Sequence, residues 1–208
     1  MLHALDNKST IKSKSAKLAL SHINGFKDSL IELERITNRT KDNYQKEAIE
    51  TVNKVLLDIE NDGDQAVIRY TKQFDGFEPK TLSIEPSVLL NAWEKTPRSL
   101  QEALKIAKKR ITDFHKLQMP NGISIEGMYG EKLGRRWSPV QKAGIYIPGG
   151  RASYPSTVLM NAIPAFVAGV EEVIMTTPAG PNGEVNNTVL AAAYLVGIHK
   201  VFRIGGAQ

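Results

Sequence analysis

The chain has 208 residues, of which 41% are apolar, and it carries a formal net charge of +5. This apolar content is enough for a core of ordinary size and argues against a largely disordered chain. The sequence has no cysteine, which excludes disulfides, thiolate zinc sites and a cysteine nucleophile within these residues. It also has no secretion signal and no apolar run near the roughly 20 residues that cross a membrane, so we expect a cytoplasmic protein without membrane contact.

The positive charge is concentrated at the N-terminus. Residues 1–41 hold eight Lys and Arg against four Asp and Glu, whereas the remainder holds 19 against 18. The first lysines lie among serines without interleaved aromatic side chains, so we interpret 1–41 as a solvated basic segment and expect no nucleic-acid binding. We predict two further parts, a mainly helical region over 42–142 and an α/β unit over 143–208.

The helical region begins with two amphipathic segments. Apolar residues recur at spacings of three and four over 42–60 and again over 66–74, which predicts two helices that pack as a hairpin. Asp62 and Asp64 lie at the turn between them, and we expect both to cap helix ends.

Two more helices and two strands follow. A short helix over 87–94 precedes a longer one that begins with Thr96 as its cap and reaches Phe114. The apolar period then changes from about 3.6 to about 2, which predicts short strands on either side of a turn at Tyr129 and Gly130.

From residue 143 onward, strands alternate with helices. Strands are predicted over 143–147, 172–177 and 200–204, with helices over 155–168 and 184–196 between them. This order predicts an α/β protein in which an incomplete Rossmann-like parallel βαβαβ unit follows the helical region.

The predicted sheet lacks part of its cover. Three parallel strands with two crossover helices leave the sheet faces incompletely covered and an open edge after residue 204. A further helix is expected to start at Ala207-Gln208. We therefore expect the chain to be a portion of a longer protein or to need a partner.

The topology also places candidate site residues. Parallel strands direct their carboxyl ends to one edge of the sheet, so the loops 148–150, 177–183 and 205–208 share that edge. We therefore expect Tyr146 and Gln208 at the same crevice, where a ligand would contact both.

Other candidate groups are weaker. The Gly149-Gly150 turn is a possible anion site or only a tight connection, and Arg151 is an anion contact or a solvated side chain. No histidine lies at metal-ligand spacing or beside a candidate nucleophile, so we predict neither a metal site nor a catalytic residue. The histidines are His3, His22, His115 and His199.

Two motifs resemble a known family. The segment GIYIPGGRASYPSTVLMNAIPAFVAGV over 144–170 closely resembles the cofactor-domain signature of the histidinol dehydrogenase family, and GGAQ over 205–208 matches its next landmark. Weaker similarity occurs over 63–75, 114–118 and 133–140. The resemblance thus covers the chain from about Tyr44 to its end.

This resemblance implies a truncated histidinol dehydrogenase fold, similar to that of aldehyde dehydrogenases, with 143–208 as the NAD-binding domain. It implies a homodimeric zinc enzyme that uses two NAD⁺ to oxidise L-histidinol through histidinal to L-histidine, the last steps of histidine biosynthesis. Carried over by position, Tyr146 and Gln208 are NAD contacts.

Family members are roughly twice as long as this chain. The resemblance places their zinc ligands and their Glu-His acid/base pair in the part that the chain lacks, so we expect no turnover by these residues alone. The alternatives are a non-catalytic relative that binds nucleotide or mediates oligomerisation, and a structural partner that completes a separate catalytic chain.

Overall fold

A computed structural model of the chain describes residues 43–149 and 154–208, so the predicted basic segment lies outside the described residues. Residues 54–208 form one compact unit, and the packing described below lies within it. None of the helices in the described ranges is long and apolar enough to cross a membrane. These helices are α1 (Asn43–Asp62), α2 (Asp64–Asp75), α3 (Pro86–Glu94), α4 (Arg98–Lys116), α5 (Pro155–Val167) and α6 (Asn187–Val196). The strands are β1 (Ser83–Ile84), β2 (Ile123–Glu126), β3 (Lys132–Arg135), β4 (Lys142–Tyr146), β5 (Glu172–Thr177) and β6 (Lys200–Arg203).

A sheet in the order β1-β6-β5-β4 organises the fold. Strands β4, β5 and β6 are parallel, and α5 and α6 connect them, which confirms the predicted βαβαβ unit. Tyr146 lies opposite Thr176, and Thr177 lies opposite Arg203, so the three strands end at one edge of the sheet.

One face of this sheet contributes to the main core. Alternate residues Val173 and Met175 of β5 and Val201 of β6 are buried there against the apolar faces of α3 to α6. Met175 is fully buried, which stabilises the fold by about 1.5–3 kcal/mol relative to an exposed side chain. The same cluster includes Ile84 and Leu104, so it is continuous across the boundary predicted at residue 142.

The prediction of an open edge after residue 204 was wrong. Strand β1 pairs antiparallel with β6, with Ser83 opposite Phe202 and Ile84 opposite Val201. The Arg203 guanidinium donates to the carbonyls of Thr81 and Ser83, at 3.2 and 3.1 Å, and reinforces this pairing. A two-residue strand has no readable periodicity, so only the tertiary pairing reveals it.

The first two helices form the predicted hairpin. Val55, Ala66 and Tyr70 make a small buried cluster of their own between α1 and α2. The predicted capping at this turn was wrong, since Gly63 occupies the N-cap of α2 with no side-chain hydrogen bond to the helix. Asp62 instead accepts a hydrogen bond from Arg69 at 2.9 Å.

The start of α4 also differs from the prediction. Pro97 is its N-cap residue, and the Thr96 hydroxyl donates to the Ala92 carbonyl at 2.8 Å. Thr96 is buried, so its hydroxyl needs a partner, and the free carbonyl at the end of α3 supplies one. Thr96 therefore closes α3 rather than opening α4.

Strands β2 and β3 form a separate antiparallel pair around the turn at Tyr129 and Gly130, as predicted. Gly130 has a φ of 83°, which a residue with a side chain rarely adopts. All eight paired residues are exposed, including Ile123, Ile125 and Leu133.

The connection from β5 to α6 is longer than predicted. The predicted helix over 184–196 begins at Asn187, because Asn186 is its N-cap and accepts from the backbone amide of Thr188 at 2.9 Å. The preceding residues turn at Gly183, whose φ is 76°. A Cβ atom at Gly183 would lie 2.4 Å from the Phe77 ring, so this loop packs directly against the segment after α2.

We predict that Gly183→Ala destabilises the fold more than Gly197→Ala does. Both glycines have a positive φ, so each alanine costs about 1–2 kcal/mol of conformational strain. Only Gly183 adds a clash with Phe77, since nothing lies within 4 Å of a Cβ at Gly197. Urea unfolding of the two variants measures the difference, and equal losses would show that the contact with Phe77 is not a close one.

Candidate functional site

A cleft of 840 Å³ lies at the carboxyl ends of β4 and β5. Its size falls in the range of about 300–1,000 Å³ that is usual for small-molecule sites. In α/β sheets, ligands bind at this edge of the strands. The lining residues are Asp75, Tyr146, Pro148, Gly149, 177–182, 184–187 and 189.

Close backbone packing shapes the cleft. A Cβ atom at Gly149 would lie 2.5 Å from Cγ of Pro178, so the loop after β4 approaches the loop after β5 only because residue 149 is glycine. On the second loop, Asn182 donates to the Glu184 carboxylate at 2.8 Å and accepts from the Glu184 amide at 3.2 Å. These contacts hold the loop as a wall of the cleft.

Tyr146 is the last residue of β4, and its side chain is 44% exposed. It lies on the sheet face opposite Met175. Its hydroxyl is close to Gly206, where a Cβ atom would lie 3.3 Å from the Tyr146 oxygen. Partial burial raises the pKa of the Tyr146 phenol, and the nearby carboxylate of Asp75 raises it further. Tyr146 therefore stays protonated at neutral pH and can donate a hydrogen bond into the cleft.

Gln208 comes after β6, and its side chain contacts α2. Its amide nitrogen Nε2 donates to the Thr71 hydroxyl at 3.3 Å and approaches the Asp75 carboxylate at 3.5 Å. The preceding Ala207 packs against the hairpin cluster that contains Tyr70. The loop after β6 is thus held by both an apolar contact and a polar one.

The structure therefore brings Tyr146 and Gln208 to the same edge of the sheet, but of these two residues Tyr146 lines the cleft and Gln208 does not. Gly205 and Gly206 precede Gln208 in the loop after β6. Gly205 lies beside the Asp75 carboxylate, and Gly206 lies beside the Tyr146 hydroxyl. Gly149 lines the cleft, whereas Gly150 and Arg151, the other candidates for an anion contact, lie outside the described residues.

Sequence reasoning missed Thr71 and Asp75. Thr71 is fully buried in the middle of α2, and Asp75 is half-buried at its end. One signal was available, because a threonine on the buried face of an amphipathic helix needs a hydrogen-bond partner. Burial raises the pKa of the Asp75 carboxyl above its ordinary value, and the Gln208 hydrogen bond opposes only part of this effect.

The described lining of the cleft carries acidic charge. Asp75 and Glu184 are its two ionisable carboxylates, and no lysine or arginine lines it within the described ranges. Its remaining described surface combines amide side chains with the apolar walls of Pro178, Val185 and Val189.

No group of three His, Asp or Glu side chains that could hold a metal ion occurs in the part of the chain that the structure describes. His115 accepts or donates a hydrogen bond with Gln118 at 2.6 Å, and His199 is exposed before β6. His3 and His22 lie outside the described residues.

We predict that Asp75→Asn gains stability relative to the unchanged chain as the pH rises. While Asp75 is protonated in both the folded and the unfolded chain, it costs no stability. Because burial raises its pKa in the folded chain, the unfolded chain releases this proton more readily, and the free energy of unfolding falls as the pH rises through the folded-state pKa. Asparagine avoids this loss. Urea unfolding from about pH 3 to about pH 7 measures the difference in unfolding free energy.

Asp113→Asn is the matched control for this experiment. A hydrogen bond from Lys109 lowers the pKa of the Asp113 carboxyl, so its variant should lose stability relative to the unchanged chain over the same pH rise. A difference for Asp75→Asn that falls with pH, as for Asp113→Asn, would contradict the burial of the Asp75 carboxyl.

The chain is similar to known proteins in both sequence and fold. The family model described as histidinol dehydrogenase matches residues 37–208. Histidinol dehydrogenases from two strains of Prochlorococcus marinus are each 59% identical to this chain, strain SARG over 92% of it and strain MIT 9313 over 85%. The crystal structure of histidinol dehydrogenase from Elizabethkingia anophelis superposes with a TM-score of 0.73 at 36% identity over 76% of the chain.

The matches cover only part of those proteins. The chain spans 44% and 40% of the two Prochlorococcus relatives and 37% of the Elizabethkingia chain. The family match nevertheless includes the whole βαβαβ unit and both α1 and α2. This chain belongs to the histidinol dehydrogenase family.

Proposed function

We propose that this chain forms the NAD-binding part of a histidinol dehydrogenase, which oxidises L-histidinol through histidinal to L-histidine at the end of histidine biosynthesis. The observation that carries the proposal is the cleft at the carboxyl ends of β4 and β5, in a chain whose residues 37–208 match the family. Each of the two oxidation steps transfers one hydride and so consumes one NAD⁺.

The apolar walls and amide side chains of the cleft, rather than its acidic charge, support NAD as the ligand. The walls formed by Pro178, Val185 and Val189 suit a planar base, and the amide side chains beside them offer donors and acceptors for ribose hydroxyls. In the proposal, Tyr146 and Gln208 contact NAD⁺. The Tyr146 side chain is partly exposed, so its ring is available for stacking, and its protonated hydroxyl can donate a hydrogen bond.

Bound NAD⁺ supplies a hydride acceptor to the reaction. The residues of this chain bind and orient it, and the apolar wall of the cleft keeps water from one side of it. Removal of the substrate hydroxyl proton needs a positioned base. We assign no described residue of this chain to that step.

Zinc does not fit the described residues, because they contain no group of three potential ligand side chains. We therefore derive no step through zinc. We propose that the zinc ligands and the acid/base pair of the family lie in the part of its length that this chain does not span, since the chain covers 44% of the first Prochlorococcus relative.

The proposed whole enzyme is a cytoplasmic homodimer that takes L-histidinol as its small-molecule substrate and binds no nucleic acid. The alternative is a non-catalytic relative that keeps only nucleotide binding or an oligomerisation surface. A chimera distinguishes the enzyme from the non-catalytic relative, because it joins this chain to the portion of a family member that the chain does not span.

We predict that the 208-residue chain alone does not oxidise histidinol, whereas a chimera does. In the chimera, this chain replaces the matching segment of the 59% identical enzyme from Prochlorococcus marinus strain SARG. NADH formation from L-histidinol and NAD⁺ is measured by absorbance for both proteins. Turnover by the chain alone, or a folded chimera without turnover, would contradict the proposal.

We predict that Tyr146→Ala weakens NAD⁺ binding to the chain about 10-fold, which corresponds to about 1.4 kcal/mol for the lost ring contact and hydroxyl donor. Isothermal titration or a ligand-observed NMR titration with NAD⁺ measures the affinity. Tyr194→Ala is the matched control, since Tyr194 is 41% exposed against 44% for Tyr146 but lies at the far end of α6 from Asn186. Equal losses in the two variants would indicate a general folding defect and count against a contact at Tyr146.

A further inference from the structure

The loop after β6 is fixed to α2 at its last described residue. Gln208 Nε2 lies 3.3 Å from the Thr71 hydroxyl and 3.5 Å from the Asp75 carboxylate. Thr71 and Asp75 are four residues apart on one helix, so they present neighbouring groups on one face of it. A single amide nitrogen can therefore contact both.

The two partners differ in what they can accept or donate. A threonine hydroxyl donates or accepts, so Thr71 alone would tolerate either orientation of the Gln208 amide. An ionised carboxylate only accepts, so Asp75 selects the orientation in which Nε2 faces α2. The opposite orientation would place two oxygens against each other.

This selection leaves the other end of the amide free. The carbonyl oxygen Oε1 of Gln208 makes no hydrogen bond to the described residues, and the amide is planar, so Oε1 is directed away from Nε2 and its two partners. An acceptor held in this way is suited to a hydroxyl or amide donor on a ligand.

The surroundings make the arrangement specific. Thr71 is fully buried, and its only side-chain hydrogen bond within the described residues is the one with Gln208. Gly205 is buried beside Asp75, where a Cβ atom would lie 2.9 Å from a carboxylate oxygen. The backbone after β6 thus approaches Asp75 as closely as a glycine allows.

We propose that Thr71 and Asp75 are positioning residues for Gln208, which fix its side-chain amide so that Oε1 accepts a hydrogen bond from a ribose hydroxyl or carboxamide donor of NAD⁺. This inference rests on the proposed function, because it takes Gln208 as an NAD contact. It adds that the geometry of this contact is set from α2, outside the βαβαβ unit.

A double-mutant cycle on the 208-residue chain tests the proposal. NAD⁺ affinity is measured for Thr71→Val, Asp75→Asn and Gln208→Ala, and for each α2 variant combined with Gln208→Ala. We expect each α2 variant to weaken binding about 3- to 10-fold, as for the loss of one hydrogen bond. In the Gln208→Ala background we expect either change to have no further effect.

Conservative and silent variants guard against effects on folding. Thr71→Ser keeps the hydroxyl and should restore most of the affinity that Thr71→Val loses. Asp113→Asn, on α4, should bind NAD⁺ like the unchanged chain. The side-chain NH₂ resonances of Gln208 provide a readout that does not need NAD⁺, and we expect Thr71→Val and Asp75→Asn to shift them while Asp113→Asn does not.

The outcomes separate this inference from the proposed function. No NAD⁺ binding by the unchanged chain would overturn the proposed function, and the inference with it. Weaker binding by Gln208→Ala, with Thr71→Val and Asp75→Asn binding normally, would overturn the inference alone. Losses that add fully in the Gln208→Ala background would also overturn it, because Thr71 and Asp75 would then act without Gln208.

Discussion

The parallel pairing of β4, β5 and β6 is the constraint on which the candidate site depends. Because the three strands run in one direction and in close register, their carboxyl ends lie at one edge, with Tyr146 opposite Thr176 and Thr177 opposite Arg203. The loops that follow these strands therefore lie next to one another at this edge. A cleft between them follows from the sheet before any particular ligand is considered.

A second constraint comes from outside the parallel unit. The α1–α2 hairpin supports the loop after β6, because Ala207 packs against its apolar cluster and the Gln208 amide contacts Thr71 and Asp75 of α2. The loop after β5 is likewise held against the segment that follows α2, through Gly183 and Phe77. Helix α2 and its C-terminal extension thus fix two of the three loops at the edge. Partial burial of the Asp75 carboxyl is the energetic cost of this arrangement.

The topology could be predicted from the sequence more easily than the tertiary contacts. Alternating strands and helices predict the βαβαβ unit, and parallel strands then predict that Tyr146 and Gln208 share an edge. Strand β1 could not be predicted in this way, because its two residues have no period and form a strand only by pairing with β6. For this reason the prediction of an open sheet edge after residue 204 was wrong.

The errors at Thr96 and Asp62, and the failure to predict Thr71 and Asp75, have one physical origin, which is the influence of side-chain and backbone partners outside the local pattern. Thr96 and Asp62 are good capping residue types, but a carbonyl at the end of α3 and the Arg69 guanidinium bind them instead. Thr71 and Asp75 belong to an ordinary amphipathic helix by sequence, and only the approach of Gln208 gives them a role. The family resemblance pointed to Tyr146 and Gln208 as NAD contacts, which stays a prediction, and it gave no indication of the residues on α2 that contact Gln208.

We expect NAD⁺ to bind at the edge of the sheet formed by β4, β5 and β6. The most direct measurement is an NMR titration of the isotopically labelled chain with NAD⁺, followed through its backbone amide resonances. We expect chemical-shift changes concentrated at residues 146–149, 177–187 and 205–208, with smaller ones at the end of α2. Shifts confined to the β2–β3 pair, or spread evenly over the chain, would contradict it.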